Sequence, residues 1–293
     1  MIADAQIELG LYEDAVQTLQ TMVDLRPDMA SYSRISYIRE LHGDTAGALE
    51  MMQWAVDSGS PNSENSAWTR TQLGNLFFNT GQLDQAEREY IRTLLDRPGY
   101  VYALAGLGRV YIAQGKVEEG TALLRDSSQV MPVPEFIITL ADVFKQTGQM
   151  EAAQEQYDLL GVIQKLYQEN GVDMDLEIAL FNADHGLATS TTVDEVRQAY
   201  QRRPSIYAAD VLAWVLYQNG EYEQARQYSE QALRLETKDA LKLFHAGMIH
   251  YRLGDLDQAR VDLEEAVGIN PHFSILYAGE AQRILEELRG DHE

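Results

Sequence analysis

Asp184 and His185 stand side by side in the segment FNADHG, which makes this segment a candidate catalytic or metal site. A neighbouring carboxylate and imidazole can form a catalytic dyad or provide two ligands for a metal ion. The alternative is structural, because His185 directly precedes a glycine, and a helix that ends there favours a donor or a cation in its last turn. His42 precedes Gly43 in the same way. We therefore predict that both histidines are structural.

The other polar residues form no known catalytic or metal-binding pattern. The chain has no cysteine, which excludes disulfides, thiolate nucleophiles and Cys-ligated zinc. His245 and His250 are five residues apart, so on a helix they point about 140° away from each other. Acidic pairs such as Glu118/Glu119 are typical of the solvated face of an amphipathic helix, and neither P-loop nor hydrolase signatures occur. We predict that the protein is not an enzyme and has no cofactor and no metal.

The net charge of the chain argues against some classes of binding partner. The 46 acidic and 23 basic residues give a formal net charge of −23. This field would repel nucleic acid and an anionic membrane surface, whereas a basic protein or peptide remains compatible with it. No apolar run approaches the roughly 18 residues of a membrane-spanning helix, and the N-terminus lacks the features of a signal peptide. The compartment stays open, with the cytoplasm slightly favoured.

A repeating pattern in the sequence predicts the structural elements that position these residues. Seven glycines are each followed five residues later by a small residue, and with Gly186 included they are spaced by 33, 38, 34, 33, 38, 34 and 34 residues. Because glycine permits the left-handed backbone that ends a helix, and proline stops a helix, each unit is predicted as helix, glycine turn, helix and a second turn. Such a pair cannot bury its apolar faces alone, so the units must stack. The seven glycines and the small residues that follow them are Gly10/Ala15, Gly43/Ala48, Gly81/Ala86, Gly115/Gly120, Gly148/Ala153, Gly220/Ala225 and Gly254/Ala259.

This period, with segments such as GQLDQAEREY, GEYEQARQYSEQAL and GDLDQARVDLEEAV, resembles the tetratricopeptide repeat over about residues 1–275. The resemblance implies an all-α, right-handed superhelix of about seven to eight helix pairs, whose first helices line a concave groove. Other helix-pair solenoids, with periods near 40 residues, fit the spacing less well. We predict a single domain, 1–293, with units at about 1–28, 29–61, 66–99, 100–133, 134–171, 172–205, 206–238 and 239–272 and a capping helix over 273–290.

Two units are longer than the others. The unit from Gly43 to Gly81 gains four residues, which we assign to the polar loop SGSPNSENSA. The unit from Gly148 to Gly186 also gains four, which we assign to an extension of its second helix by about a turn. The next unit is the least regular, since Thr191 and Thr192 stand at and directly after the position where alanine is usual. We interpret this irregularity as a bend in the superhelix, with a binding site as the alternative.

The two ends of the chain differ. Met1 falls inside the first helix of a unit, whereas a solenoid needs a polar cap, so we expect that the natural chain extends upstream or that this sequence is a trimmed fragment. The segment SILYAGEAQRILEELRGDHE is predicted as an amphipathic capping helix.

The resemblance implies that one stripe of each first helix lines the groove. Asp210, Trp214 and Tyr217 stand at i, i+4 and i+7 and so share one face. Aromatic anchors with a few charges are typical of binding hot spots, and the alternative is that these aromatics pack between neighbouring repeats. The predicted groove residues are Tyr37, Trp68, Asn75, Phe78, Tyr102, Arg109, Asp142, Lys145, Tyr207, Asp210, Trp214, Tyr217, Phe244, Met248 and Tyr251.

One subtype of the family clamps the C-terminal carboxylate of chaperones with Lys and Asn residues four apart. Asn75 has Thr71 at that place, and with the acidic charge this argues against such a receptor. We predict a non-catalytic scaffold that binds a protein or peptide, with a basic partner favoured by charge. The alternatives are a regulatory sensor that binds a small ligand in the groove, and the substrate-positioning arm of a larger enzyme that lies upstream.

Overall fold

The computed structural model describes residues 2–290, which contain seventeen α-helices and no strand. The helices are α1 (Ile2–Glu8), α2 (Tyr12–Leu25), α3 (Met29–Leu41), α4 (Thr45–Asp57), α5 (Glu64–Asn79), α6 (Leu83–Asp96), α7 (Val101–Ala113), α8 (Val117–Val130), α9 (Pro134–Gln146), α10 (Met150–Glu169), α11 (Asp175–Asp184), α12 (Ser190–Arg202), α13 (Ile206–Gln218), α14 (Tyr222–Ala232), α15 (Ala240–Leu253), α16 (Leu256–Ile269) and α17 (Ala278–Gly290).

Consecutive helices form eight pairs, from α1/α2 to α15/α16, and α17 packs on α16. The all-α superhelix of stacked pairs that the sequence predicts is therefore confirmed. Every glycine between the two helices of a pair has a left-handed backbone, with φ from 68° to 81°. The small residue five positions later lies where the two helices cross: a Cβ on Gly120 would lie only 2.5 Å from the carbonyl oxygen of Gly108. Ala86 and Ala225, at the same position, are completely buried.

The two longer units accommodate their extra residues differently. Helix α10 has 20 residues where α6 and α8 have 14, which confirms the extended second helix. The polar loop before α5 covers only residues 58–63, because α5 begins at Glu64 and has 16 residues where α7 has 13. The segment SGSPNSENSA is therefore not wholly a loop, as its last four residues form the first turn of α5.

The irregular unit also has a distinct start to its second helix. Helix α12 begins four residues after Gly186, whereas α6 begins two residues after Gly81. Thr192 takes part in a capping box, since its hydroxyl accepts a hydrogen bond from the Thr189 backbone N–H at 3.1 Å. Helices α10 and α11 approach each other less closely than the corresponding helices at the other junctions. The array thus has its loosest junction between the fifth and sixth pairs.

The superhelix curves until its last pairs touch its first pairs. The Ile206 backbone N–H donates to the Tyr12 hydroxyl at 2.8 Å, across 194 residues of sequence. The Asn270 amide donates to the Phe78 carbonyl oxygen at 2.9 Å, across 192 residues. We call this contact the seam; it joins the glycine turns of the first three pairs to the loops that follow the sixth, seventh and eighth pairs. Its members are Gly10, Tyr12, Gly43, Phe78 and Gly81 on one side and Pro204, Ile206, Glu236, Ile269 and Asn270 on the other.

Three turn glycines leave no room for a side chain at the seam. A Cβ on Gly10 would lie 2.5 Å from the Pro204 carbonyl oxygen, and one on Gly81 would lie 2.7 Å from that of Ile269. A Cβ on Gly43 would collide with the carbonyl oxygen of Glu236. By contrast, nothing lies within 4 Å of a Cβ at the equivalent glycines of the other pairs. The seam therefore requires glycine for close approach as well as for backbone conformation.

Replacing Gly43 with alanine tests the seam against a matched control, Gly148→Ala, whose φ of 76° is close to the 71° of Gly43. Both variants should lose about 1–2 kcal/mol of unfolding free energy from the left-handed backbone. Gly43→Ala should lose roughly 1–3 kcal/mol more, because its new methyl group meets the opposite side of the seam. Denaturant unfolding measures both losses, and equal losses in the two variants would contradict the close approach.

Candidate functional site

The concave side of the array contains a group of connected cavities. The one we call the main cavity has a volume of about 670 Å³ and lies against α1, α3, α5, α7 and α9, the first helices of the first five pairs, with Met52 of α4. Three neighbouring cavities of about 330, 450 and 480 Å³ also include Arg109 in their walls. Arg109 therefore lies at the point where the four spaces meet. We call these spaces together the lumen.

The wall of the main cavity combines apolar, amide and charged side chains. Its apolar part consists of Met29, Met52, Trp68 and Leu76. Its amide part comes entirely from α5 and consists of Asn65, Gln72, Asn75 and Asn79. Amide side chains both donate and accept hydrogen bonds, as the peptide backbone does. The wall is thus suited to an uncharged polar ligand with an apolar group.

The charges in the main cavity are largely paired within the protein. The Arg34 guanidinium donates to the Asp4 carboxylate at 2.8 Å. Arg109 lies 3.8 Å from Glu135, and its guanidinium carbon lies 4.3 Å above the ring of Phe78. Both arginines therefore have their charge balanced before any ligand enters.

Hydrogen bonds from Tyr90 and between neighbouring side chains fix the orientation of the α5 amides. The Tyr90 hydroxyl donates to the Asn75 side-chain oxygen at 2.6 Å, and the Asn75 nitrogen lies 3.3 Å from the Gln72 side-chain oxygen. Tyr90 is completely buried, and it fills the space beside Gly74 and Gly106, where a Cβ would meet its ring. Glycine at these two positions therefore allows Tyr90 to orient Asn75 toward the cavity.

Glu40 is a weakly acidic carboxyl at the seam side of the lumen. Burial, reinforced by the nearby Asp239 carboxylate, raises the pKa of Glu40 from its usual 4.5 to about 7. Lys242 opposes this shift, and Asn79 also lowers the pKa of Glu40 by donating a hydrogen bond to it. Lys242 is itself paired with Asp239. Near neutral pH, Glu40 therefore exchanges a proton inside the lumen.

Eight of the fifteen predicted groove residues line the lumen. Trp68, Tyr102 and Tyr37 are the most exposed of the fifteen. The eight residues are Tyr37, Trp68, Asn75, Phe78, Tyr102, Arg109, Asp142 and Tyr207. Among the other seven, Lys145, Tyr217 and Tyr251 are half-buried, and Asp210, Trp214, Phe244 and Met248 are buried.

The C-terminal segment explains why the last pairs have no open groove. Helix α17 begins at Ala278, five residues later than predicted, and the preceding turns enter the concave side. The Tyr277 ring stacks on Phe244 at 5.0 Å between centroids and contacts Trp214 edge-on at 5.5 Å. The Tyr251 hydroxyl donates to Glu287 of α17 at 2.7 Å. The prediction that the Asp210–Trp214–Tyr217 face is exposed in a groove is therefore wrong, because Asp210 and Trp214 are buried against the neighbouring repeat and this segment.

Asp210 and Trp214 belong to a buried polar network. The His245 Nδ1 atom lies 3.0 Å from the Asp210 carboxylate, and the His245 ring stacks on Trp214 at 4.2 Å. The Trp214 Nε1–H donates to the Asp184 carboxylate at 2.8 Å, and the Tyr277 hydroxyl donates to the same oxygen at 3.0 Å. Burial raises the pKa of Asp184, while these donors oppose the shift. The network fixes the C-terminal segment to the last three pairs.

The pair Asp184–His185 is structural in geometry. His185 follows α11 directly, and its Nδ1 lies 2.8 Å from the Phe181 carbonyl oxygen, one helical turn back. Its Nε2 lies 3.0 Å from the Asp142 carboxylate of α9. The Nδ1 atom of His42 likewise lies 2.8 Å from the carbonyl oxygen four residues earlier. Asp142, which lines the lumen, is therefore already engaged by His185.

Sequence reasoning missed Arg34, Glu40, Asn65, Gln72, Asn79 and Glu135 in the lumen wall. Position relative to the turn glycine would have identified Glu135, which stands thirteen residues before its glycine, as Trp68 and Tyr102 do. Within residues 2–290, no three His, Asp or Glu side chains are arranged to hold a metal ion. No helix of that range is long and apolar enough to cross a membrane.

Comparison with known proteins gives one family. The model of the tetratricopeptide repeat matches residues 71–127 and 211–272. No curated protein sequence matches the chain significantly. Among solved structures, a tetratricopeptide repeat protein from Parabacteroides merdae shares 16% identity over 93% of this chain and 99% of that one, with a TM-score of 0.48.

Two further structures are similar. The APC/C hetero-tetramer Cut9–Hcn1 shares 15% identity over 98% of this chain and 54% of that one, with a TM-score of 0.50. MamA shares 15% identity over 58% of this chain and 98% of that one, with a TM-score of 0.43. At these identities, the likeness to Cut9–Hcn1 shows a common fold and nothing about partners.

Glu40→Gln should change how stability depends on pH. Between about pH 4.5 and 7, folded Glu40 keeps a proton that the unfolded chain has released, so its contribution to stability falls as pH rises. At about pH 8 the variant should therefore exceed the wild type in unfolding free energy by roughly 3 kcal/mol, and at about pH 4 the two should agree. Denaturant unfolding at both values checks this.

Glu50→Gln on α4 is the control, because Glu50 is exposed outside the lumen and its replacement should be neutral at both pH values. A difference between Glu40→Gln and wild type that does not change with pH would contradict the raised pKa.

Proposed function

Because the chain is a tetratricopeptide-repeat protein, we propose that it is a non-catalytic scaffold that binds a short peptide segment of a protein partner in the main cavity. The observation that carries this proposal is the main cavity, about 670 Å³ in volume, with Trp68 and an amide-lined wall. Ligand sites of proteins span a few hundred to about 1,000 Å³ and combine apolar walls with a few polar groups. This repeat fold typically serves as a scaffold for protein interaction.

The chemistry of the wall favours a peptide. Trp68 is 44% exposed and offers a flat apolar surface to a side chain of the partner. Gln72 and Asn75 lie on the same face of α5, where they can exchange hydrogen bonds with the N–H and C=O groups of an extended chain. Since Tyr90 fixes Asn75 in advance, less rotamer freedom is lost on binding.

The closed shape of the lumen limits the length of the partner's segment that can bind. The seam closes one side of the lumen, and the C-terminal segment fills the concave side of the last pairs. A ligand therefore has the first five pairs available and not the whole superhelix. We infer that a loop or a terminus of the partner enters, while the net charge of −23 speeds the approach of a basic partner.

A small metabolite in the same cavity is the second candidate function. The cavity volume and its internally paired charges also suit an uncharged polar small molecule. In a thermal-shift screen, a small molecule that raises the midpoint of the wild type but not of Trp68→Ala would favour this candidate.

Selection from a displayed library of random linear peptides tests the peptide proposal. Trp68→Ala should weaken binding of the selected peptides by at least about tenfold, as expected for an aromatic hot spot. Trp54→Ala is the matched control, because Trp54 is 46% exposed but lies on α4, where it packs against Tyr32 outside the lumen. It should leave the affinity unchanged.

Recovery of no peptide with measurable affinity, or equal losses in the two tryptophan variants, would contradict the proposal. Circular dichroism melts of both variants ensure that any loss reflects binding and not unfolding.

A further inference from the structure

A second cavity beside the main one has a different chemistry. It has a volume of about 450 Å³, and its walls include the rings of Trp68, Tyr100, Tyr102 and Phe136. The Tyr102 ring lies 5.6 Å from the rings of both Tyr100 and Phe136. Trp68 and Tyr102 are 44% and 37% exposed, so both present ring surface to the cavity. We call this space the aromatic cavity.

Two carboxylates complete the walls of the aromatic cavity. The side chains of Glu64 and Glu135 are 69% and 71% exposed. Glu64 lies 3.6 Å from Arg97, and Glu135 lies 3.8 Å from Arg109. Both distances exceed the roughly 2.7–2.9 Å of a charge-assisted hydrogen bond. These loose, exposed pairs leave the carboxylate oxygens available to a second cation.

The geometry points to a site for one cationic side chain, a lysine or an arginine, of the bound peptide. This inference rests on the proposed function and specifies the partner's chemistry. Aromatic faces attract an ammonium or guanidinium group, and nearby carboxylates add a direct Coulomb attraction to the same charge. The methylene stem of such a side chain packs on the rings while its charged head reaches the carboxylates.

Repeat register explains how the site forms. Trp68, Tyr102 and Glu135 each stand thirteen residues before their turn glycine, on α5, α7 and α9. Stacking of the three helices therefore brings two rings and a carboxylate into one row on the concave face. A peptide that crosses these helices meets the row directly after the amides of the main cavity, because Trp68 and Gln72 line both spaces.

The other classes of side chain fit the site less well. An acidic side chain would be repelled by Glu64 and Glu135, while Arg109, which also lines this cavity, is stacked on Phe78. A purely apolar side chain would desolvate the two carboxylates without compensation. The Arg97 guanidinium carbon lies 5.9 Å from the centre of the Tyr100 ring, so one ring of this cavity already contacts a cation within the protein.

Fluorine NMR of the full chain labelled with 5-fluorotryptophan tests the site directly. The three tryptophans report on the site (Trp68), the outer surface (Trp54) and the core (Trp214). The probe is Nα-acetyl-lysine N-methylamide, and the norleucine analogue is the control that lacks only the ammonium group. Lysine amide should shift the Trp68 resonance selectively and bind at least about fivefold more tightly than norleucine amide.

Variants that remove the two carboxylate charges give a second test of the cation site. Glu64→Gln with Glu135→Gln should weaken lysine amide binding by about threefold to tenfold. Glu118→Gln with Glu119→Gln is the matched control, because these exposed residues also lie in the first turn of a helix, α8, and line no part of the lumen. This control should leave the affinity within about twofold.

Equal binding of the two amides, no shift of Trp68, or equal effects of the two double variants would overturn the cation site. The peptide proposal would survive that result, provided that library peptides still depended on Trp68. Conversely, a library that yields no peptide, alongside selective lysine amide binding, would make the site a receptor for a free cationic ligand and refute the peptide proposal.

Discussion

Close contact between the first and last helix pairs is the constraint on which the concave side depends. At the seam, turn glycines approach backbone carbonyl oxygens so closely that no Cβ fits, and Tyr12 and Asn270 bridge the two sides by hydrogen bonds. Without this contact the first helices would line an open groove. With it, the same helices enclose a lumen of limited length. The loose junction between α10 and α11 lies between the two groups of pairs that the seam brings together.

The concave side differs between the first and the last helix pairs, because the C-terminal segment covers it only at the last pairs. The C-terminal segment covers Trp214 and Phe244, and the network of Asp184, Asp210 and His245 holds it there. The aromatics of the last pairs therefore contribute to stability. The first pairs keep their concave surface, where amides, two exposed rings and two loosely paired carboxylates remain accessible. Recognition of a peptide is proposed for this half because the main cavity and two exposed aromatic rings lie there.

Features that repeat could be predicted from the sequence, and features that occur once could not. The helix pairs and the turn glycines follow from a period of 33 to 38 residues. Trp214 stands six residues before its glycine, as Asn75 and Arg109 do, but it is buried because Tyr277 reaches it from outside the repeats. The seam joins residues such as Tyr12 and Ile206, which are 194 residues apart. Both fit the repeat pattern, so nothing in the pattern indicates that they touch. Periodicity indicates which face of a helix is concave, and long-range contacts decide whether that face stays open.

A distance measured across the seam tests the closed lumen most directly. The chain contains no cysteine, so spin labels can be attached to introduced cysteines alone, at the exposed positions Glu13 on α2 and Gln201 on α12. These positions flank the contact between Tyr12 and Ile206. Double electron–electron resonance should give a single narrow distribution at short distance if the superhelix is closed in solution. A broad distribution that extends to long distances would show an open superhelix and would contradict the enclosed lumen.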